Sequence, residues 1–345
     1  MAKTRVGIIN VTGYAGVELA RLLHQHPEVE ITSVTGRSAA GQKLCQVFPH
    51  LAELDLTIEA QMGKVDFVFS AMPHKESAKE IMPLLNSGVK IVDISADFRL
   101  KDAAEYSSWY GFNHPAPELL ASAVYGLPEL HRTQVASAQL VANPGCYPTG
   151  AILALAPAVK EGIIEPEIIV DSKSGVSGAG RSLSLQTHFS EVNEDTTAYA
   201  LAGHRHLPEI VQELKVLGSK SLAITFVPHL IPMTRGILTT AYAPLAAGKI
   251  AAGKKSEEEL NHLYQNFYQN EPFVKVVASP PHTKHTWGSN FCLIHPTIDH
   301  RTGKLIVISA IDNLVKGAAG QAIQNMNLML GLPETTGLET TVIYP

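Results

Sequence analysis

The residues able to do chemistry gather in a few short stretches. Asn143-Pro144-Gly145-Cys146-Tyr147-Pro148-Thr149 sets a cysteine after a Pro-Gly pair that forces a tight turn, with Pro148 next in the chain. Proline fits the first turn of a helix, where its missing N–H costs nothing. Cys146 therefore stands at or just before a helix N-terminus, a place that stabilises a thiolate, and a thiolate is the species that attacks an acyl carbon. A buried structural cysteine is the plainer alternative. Cys45 and Cys292 lack such a setting and read as structural. Gly203-His204-Arg205-His206-Leu207-Pro208-Glu209 offers a proton partner. In an extended segment His204 and His206 face the same side, so either is a candidate acid/base, and Glu209 could orient a ligand or a ring. No third ligand accompanies them to suggest a metal, and surface histidines are the bland reading. Lys173-Ser174-Gly175-Val176-Ser177-Gly178-Ala179-Gly180-Arg181 follows a strand pattern. Small residues there would expose backbone N–H groups and Arg181 would add a cation, giving a cradle suited to phosphate, or else a flexible loop.

A second group of residues points to a nucleotide. Asn10-Val11-Thr12-Gly13-Tyr14-Ala15-Gly16 is a glycine-containing turn between a strand and a helix. Such a turn lets the backbone approach a pyrophosphate, and the helix behind it presents free N–H groups and a positive dipole end. Asn10 stands where the first glycine of the pattern is usual, and Asn tolerates the left-handed conformation that position needs. The next strand ends in Val34-Thr35-Gly36-Arg37-Ser38. A site for NAD would prefer a carboxylate here to hold the ribose hydroxyls; Arg37 and Ser38 suit a 2′-phosphate, so the expected cofactor is NADP(H).

The elements that must position these residues follow from periodicity. Val6–Val11, Ile31–Thr35, Val65–Ala71 and Val89–Ile94 read as strands, with helices at Gly16–Gln25 and Lys75–Leu85. The alternation predicts an α/β fold with a doubly wound parallel sheet. After Pro148 a helix is expected over Thr149–Lys160, then strands at Glu167–Lys173, Ser221–Val227, Gly236–Ala243 and Lys304–Ile311, a helix at Glu257–Gln269 and a last helix at Leu314–Leu330. This half suits a mixed or antiparallel sheet flanked by helices. The chain of 345 residues is long enough for two domains. Its net charge of −5, without a basic stripe, argues against nucleic acid or an anionic membrane as partner. Three scattered cysteines make neither a disulfide framework nor a zinc site. No apolar run reaches the ~18 residues of a membrane span, and the N-terminal residues show no signal core. A cytoplasmic protein is expected.

Taken together, these motifs are specific. Thr12-Gly13-Tyr14-Ala15-Gly16-Val17-Glu18, Asp93-Ile94-Ser95-Ala96-Asp97-Phe98-Arg99, Tyr125-Gly126-Leu127-Pro128-Glu129, the cysteine box, the 173–181 loop, the stretch from His204 to Ile210, Pro228–Gly236 and Asp312–Gln321 span nearly the whole chain. With them the chain resembles the N-acetyl-gamma-glutamyl-phosphate reductase family of arginine biosynthesis. The resemblance implies a Rossmann-type NADP domain (1–147 and 313–345) and an α+β catalytic and dimerisation domain (148–312), like those of aspartate-semialdehyde and glyceraldehyde-phosphate dehydrogenases. It implies an oxidoreductase that reduces an acyl phosphate to an aldehyde and releases phosphate. Cys146 would be the nucleophile and His206 the acid/base. Ser174, Tyr199, His204, Glu209, Arg99 and Arg181 would lie on the substrate side, and Asn313 near the nicotinamide. The resemblance also implies a homo-oligomer, a dimer or a tetramer. The readings that remain open are the same chemistry on N-acetyl-aminoadipyl phosphate, one methylene longer and worth only about 1–3 kcal/mol of discrimination; a cysteine acyltransferase or hydrolase without hydride chemistry; and a non-enzymatic nucleotide-binding protein.

Overall fold

Short apolar runs alternate with helices through the first 145 residues because each strand must be covered on both faces. In the computed structural model, which describes residues 2–218, 221–250 and 255–345, these are β1 (Thr4–Ile9), α1 (Tyr14–His24), β2 (Val29–Thr35), α2 (Leu44–Val47), β3 (Ile58–Glu59), β4 (Phe67–Ser70), α3 (Ser77–Asn86), β5 (Lys90–Asp93), α4 (Ala103–Tyr110), β6 (Val124–Tyr125), α5 (Pro128–Ser137) and β7 (Leu140–Ala142). They form one seven-stranded sheet in the order β3-β2-β1-β4-β5-β7-β6, with every pairing parallel. All four residues of β4 are buried, as a central parallel strand requires. This is the doubly wound α/β sheet expected from the alternation. Its order reverses beside β1, and in such sheets ligands bind beyond the carboxyl ends of strands at that switch point.

The second sheet is mixed. It is built from β8 (Glu167–Gly175), β9 (Thr197–Ala198), β10 (Ala223–Ile231), β11 (Ile237–Pro244), β12 (Val274–Val276), β13 (Cys292–Asp299) and β14 (Lys304–Ile311), in the order β12-β13-β14-β11-β8-β10-β9. β8 pairs parallel with β10, and β12 with β13, whereas β8–β11, β11–β14 and β13–β14 are antiparallel. Buried residues alternate along β11 and β13, so one face packs inward. Against it lies α6 (Cys146–Lys160), buried on every side from Tyr147 to Val159, the mark of a helix inside a core. Tyr264 and Tyr268, from the region of α9 (Lys255–Phe267), donate hydroxyls to the α6 carbonyls of Ala154 and Leu153 at 2.9 and 2.5 Å. The remaining helices are α7 (Phe189–Val192), α8 (Leu207–Leu217) and α10 (Gly320–Met329), the last preceded by a π-helical turn at Val315–Ala319.

By contacts the chain divides into one unit of Met1–Pro144 with Ala318–Thr340 and a second of Gly145–Gly317 with Thr341–Pro345. The first unit is thus discontinuous, but its edges differ from the sequence reading. Residues 145–147, 313–317 and 341–345 belong with the second unit. The cysteine turn begins α6 and is carried by that buried helix, not by the sheet that precedes it. Among the described residues no helix is long and apolar enough to cross a membrane.

Candidate active site

Cys146 is the first residue of α6, with Gly145 as its N-cap. It is half-buried and sits on the end of a helix whose next thirteen residues are all buried, so its place is set by core packing. The cap is held from a distance. The Gly145 N–H donates to Glu209 Oε1 at 2.6 Å, and Thr149 Oγ1 and N both donate to the Gly145 carbonyl at 3.0 Å. Glu209 is fully buried in the first turn of α8. Its carboxylate therefore lies at two helix N-termini, where negative charge is stabilised. That contact gives Glu209 a hold on the Cys146 turn, a partner the sequence reading did not foresee. On the other side, a Cβ added to Gly317 would lie 2.9 Å from Cys146 Cβ. Only glycine allows this approach. Asp312 shapes the same turn: it is fully buried and its carboxylate accepts from the N–H groups of Leu314 and Gly288, both at 2.8 Å. Gly317 and Asp312 stood within a quoted motif, but nothing local named their partners.

The two histidines do come together, though not by strand alternation. His206 has helical dihedrals and caps α8, and its backbone N–H donates to His204 Nδ1 at 3.1 Å. The turn brings the rings to 4.7 Å, edge to face. Both are buried and both pack against Tyr147, at 5.7 and 5.9 Å between ring centroids. Tyr147, next to Cys146, is a central residue that sequence reasoning left out. Its phenol donates to the His229 carbonyl at 3.2 Å and accepts from the Tyr199 hydroxyl at 3.0 Å, and it also meets Ser174. Burial raises both phenols, Tyr199 to about 12, so both stay protonated donors. Burial, helped by the Arg205 charge, pulls His204 down to about 4. With Nδ1 accepting and the ring neutral at pH 7, His204 is poorly suited to carry a proton.

The phosphate cradle expected at 173–181 is corrected in part. The N–H groups of Gly175, Val176 and Ser177 donate to Gly236, Met233 and Thr234 carbonyls at 2.9, 2.9 and 3.2 Å. A Cβ on Gly175 would meet the Met233 and Thr234 carbonyls at 2.8 Å. The small residues serve close docking of two segments, and these three donors are not available to an anion. Arg181 is exposed. Asn313 belongs to the second unit, where its Oδ1 accepts from Gly236 N–H at 2.7 Å and its Nδ2 donates to Ser177 Oγ at 2.9 Å.

In the other unit, Asn10 takes the left-handed conformation, φ 61°, and its side chain donates to the Ala71 carbonyl at 2.8 Å. A Cβ on Gly16 would fall 2.5 Å from the Asn10 carbonyl oxygen, which explains that glycine. No side chain caps α1, so its first turn, at Tyr14, Ala15 and Gly16, faces the Thr12-Gly13 corner as an anion site would. Arg37 and Ser38 open a 3₁₀ turn after β2. With Asn10 and Gly36 they line a cavity of about 200 Å³. These residues fit a dinucleotide: a turn with Gly13 and Gly16, an uncapped helix start and a cation beyond the second strand. Arg99 is buried, and its guanidinium donates to the carbonyls of Asn143 and Ile94 at 2.8 and 2.7 Å. These bonds anchor the residue that precedes Pro144-Gly145-Cys146.

Comparison with known proteins agrees with both units. Residues 5–138 match the semialdehyde dehydrogenase NAD-binding domain and residues 146–313 the semialdehyde dehydrogenase dimerisation domain. The fold is similar to that of aspartate semialdehyde dehydrogenase II of Vibrio cholerae, with a TM-score of 0.73 at 15% identity over 96% of this chain and 99% of that one. It is likewise similar to the aspartate semialdehyde dehydrogenase of Candida albicans, with a TM-score of 0.69 at 15% identity over 95% and 99%. Curated relatives are much nearer in sequence. The N-acetyl-gamma-glutamyl-phosphate reductase of Dehalococcoides mccartyi is 58% identical over all of both chains, and that of Pelotomaculum thermopropionicum is 52% identical over 99% of both. The chain therefore belongs to the N-acetyl-gamma-glutamyl-phosphate reductases of the semialdehyde dehydrogenase family.

Proposed function

We propose that this protein reduces N-acetyl-gamma-glutamyl phosphate to N-acetyl-glutamate semialdehyde, with NADPH as cofactor, through a thioester on Cys146. The carrying observation is Cys146 on the first residue of the buried helix α6, in a chain with full-length relatives named for this activity. Cys146 Sγ attacks the acyl carbon; the C–S bond forms and phosphate leaves. The bound cofactor supplies the hydride that reduces the thioester. His206 takes the Cys146 thiol proton before the attack; when the oxyanion left by hydride addition collapses, the C–S bond breaks, the aldehyde departs and His206 returns the proton to Sγ. His206 is preferred to His204 because His204 is held neutral and accepts a backbone N–H on Nδ1. Tyr199, Ser174 and His204 surround Tyr147 beside the nucleophile and form the substrate side, with Arg181 supplying positive charge for the phosphate. Glu209 holds the cysteine turn, and Arg99 anchors the residue before it. Thr12, Gly13, Tyr14, Ala15 and Gly16 receive the pyrophosphate, Arg37 and Ser38 the 2′-phosphate, and Asn313 serves the nicotinamide side. The chain works in the cytoplasm as a homo-oligomer, in keeping with the dimerisation-domain match.

The test is the reverse reaction: NADP⁺ reduction by N-acetyl-glutamate semialdehyde, strictly dependent on inorganic phosphate and lost in Cys146→Ser. Acyl transfer or hydrolysis without NADPH turnover would replace the reading with a simpler cysteine enzyme. Faster turnover of the aminoadipyl substrate would replace the substrate.

A further inference from the structure

The cation that reads the 2′-phosphate in this proposal already has two anions on it. Arg37 Nη1 donates to Glu76 and Nη2 donates to Glu80 Oε1 at 3.1 Å. Glu76 precedes the first residue of α3 and Glu80 follows one turn later, so i and i+4 place both carboxylates on one helix face. Both line the cavity that Asn10, Gly36, Arg37 and Ser38 also line. The carboxylates are not swept there by chance rotamers alone, because the backbone under Glu76 is pinned. Asp97 accepts from Lys75 N–H at 2.7 Å and Ala78 N–H at 3.0 Å, and Lys75 is held at φ 76°, a conformation that a lysine adopts only under constraint. A plain surface ion pair would need one carboxylate. Here a guanidinium fork has both of its Nη groups engaged by carboxylates of residues that line the same cavity.

A 2′-phosphate must displace these carboxylates from Arg37 or share the fork with them, and it brings about 1.5–2 negative charges into their neighbourhood. NADH, with a neutral ribose hydroxyl, meets neither penalty. Resting on the reading of Arg37 as the 2′-phosphate ligand, we propose that Glu76 and Glu80 are specificity-determining residues: by competing with the 2′-phosphate for Arg37 they weaken NADPH binding and narrow its preference over NADH. The side chains are substantially exposed, at 69% for Arg37, 42% for Glu76 and 49% for Glu80, so solvent screens the effect and moderate factors are expected.

Fluorescence titration of the full-length protein with NADPH and with NADH tests this. Glu80→Gln alone should tighten NADPH by roughly threefold and Glu76→Gln/Glu80→Gln by roughly tenfold, with NADH changed less than twofold. The gain should shrink between 50 mM and 500 mM salt, as screening requires. Glu80→Gln lies outside the helix cap and serves as the second variant if Glu76→Gln disturbs folding. Arg37→Ala separates the two levels of the argument. If it leaves the NADPH-to-NADH ratio unchanged, the 2′-phosphate reading of Arg37 fails. If it lowers that ratio while the glutamine variants leave NADPH within twofold of the parent, the reading stands and the competition by Glu76 and Glu80 is overturned.

Discussion

Gly317→Ala is the sharpest test of how Cys146, the proposed nucleophile, is held. The new methyl carbon would start 2.9 Å from Cys146 Cβ and 3.3 Å from its Cα. Ordinary carbon contacts lie at about 3.5–4.0 Å, so the two segments must part by roughly 0.6–1.1 Å. Neither has slack. Cys146 begins a helix buried from Tyr147 to Val159, and Gly317 lies in the turn fixed by Asp312, its own N–H donating to the Asp312 carbonyl at 2.9 Å. Overpacking of this kind costs about 1–3 kcal/mol, against the ~0.5–1 kcal/mol by which alanine would favour a helical turn. A nucleophile moved by about 1 Å loses on the order of 10²-fold in rate. Gly317→Ala should therefore be less stable in urea and should lose roughly 10- to 100-fold in kcat, with a slower reaction of Cys146 with iodoacetamide and little change in cofactor affinity. A variant more stable than the parent, with kcat within twofold and unaltered labelling, would show that the close approach has no mechanical consequence.

Cys146→Ser should abolish reduction, since a serine hydroxyl is a far weaker nucleophile near neutral pH, and mass spectrometry should find iodoacetamide on Cys146 well before buried Cys292; near-normal turnover of the serine variant would remove the thioester. His206→Asn should lower kcat by about 10²–10⁴-fold, whereas His204→Asn should act mainly on KM; the reverse pattern would exchange their roles. His204 also predicts a pH effect. Its folded value near 4 lies below the ordinary 6.5, so between those values the unfolded chain binds the extra proton. Stability is then full above about pH 6.5 and falls toward pH 4 by about 3 kcal/mol. His204→Asn should lose less stability than the parent between pH 7 and pH 5 in urea titrations, and equal losses would contradict the burial argument. Asn10→Ala should be less stable than Asn10→Gly by about 1 kcal/mol, because alanine strains at positive φ; a more stable alanine variant would mean that the turn relaxes.

What the sequence determined by itself was what neighbours in the chain control. Pro-Gly before Cys146 and Pro148 after it specify a helix start, and α6 begins at the cysteine. Apolar runs between turn residues specify the strands, and β14 spans Lys304–Ile311 as its pattern predicts. Asn10 was legible as a left-handed residue from its type alone. The tertiary structure decided everything that depends on which distant segments meet. Glu209 reads locally as a ligand-orienting carboxylate; only the packing of α8 beside α6 puts it on the Gly145 N–H, 64 residues away. The small residues of 173–181 look like exposed donors until the 233–236 segment docks on them and takes the N–H groups. The histidines looked like an extended pair, yet a helix cap, not a strand, brings their rings together. Arg37 was legible as a cation after the second strand, but not its two carboxylate partners, because α3 reaches that cavity only through the winding of the sheet. Turn chemistry and periodicity act over a few residues and are written locally. A hydrogen bond between remote segments depends on crossovers and core packing, which no short window of sequence contains.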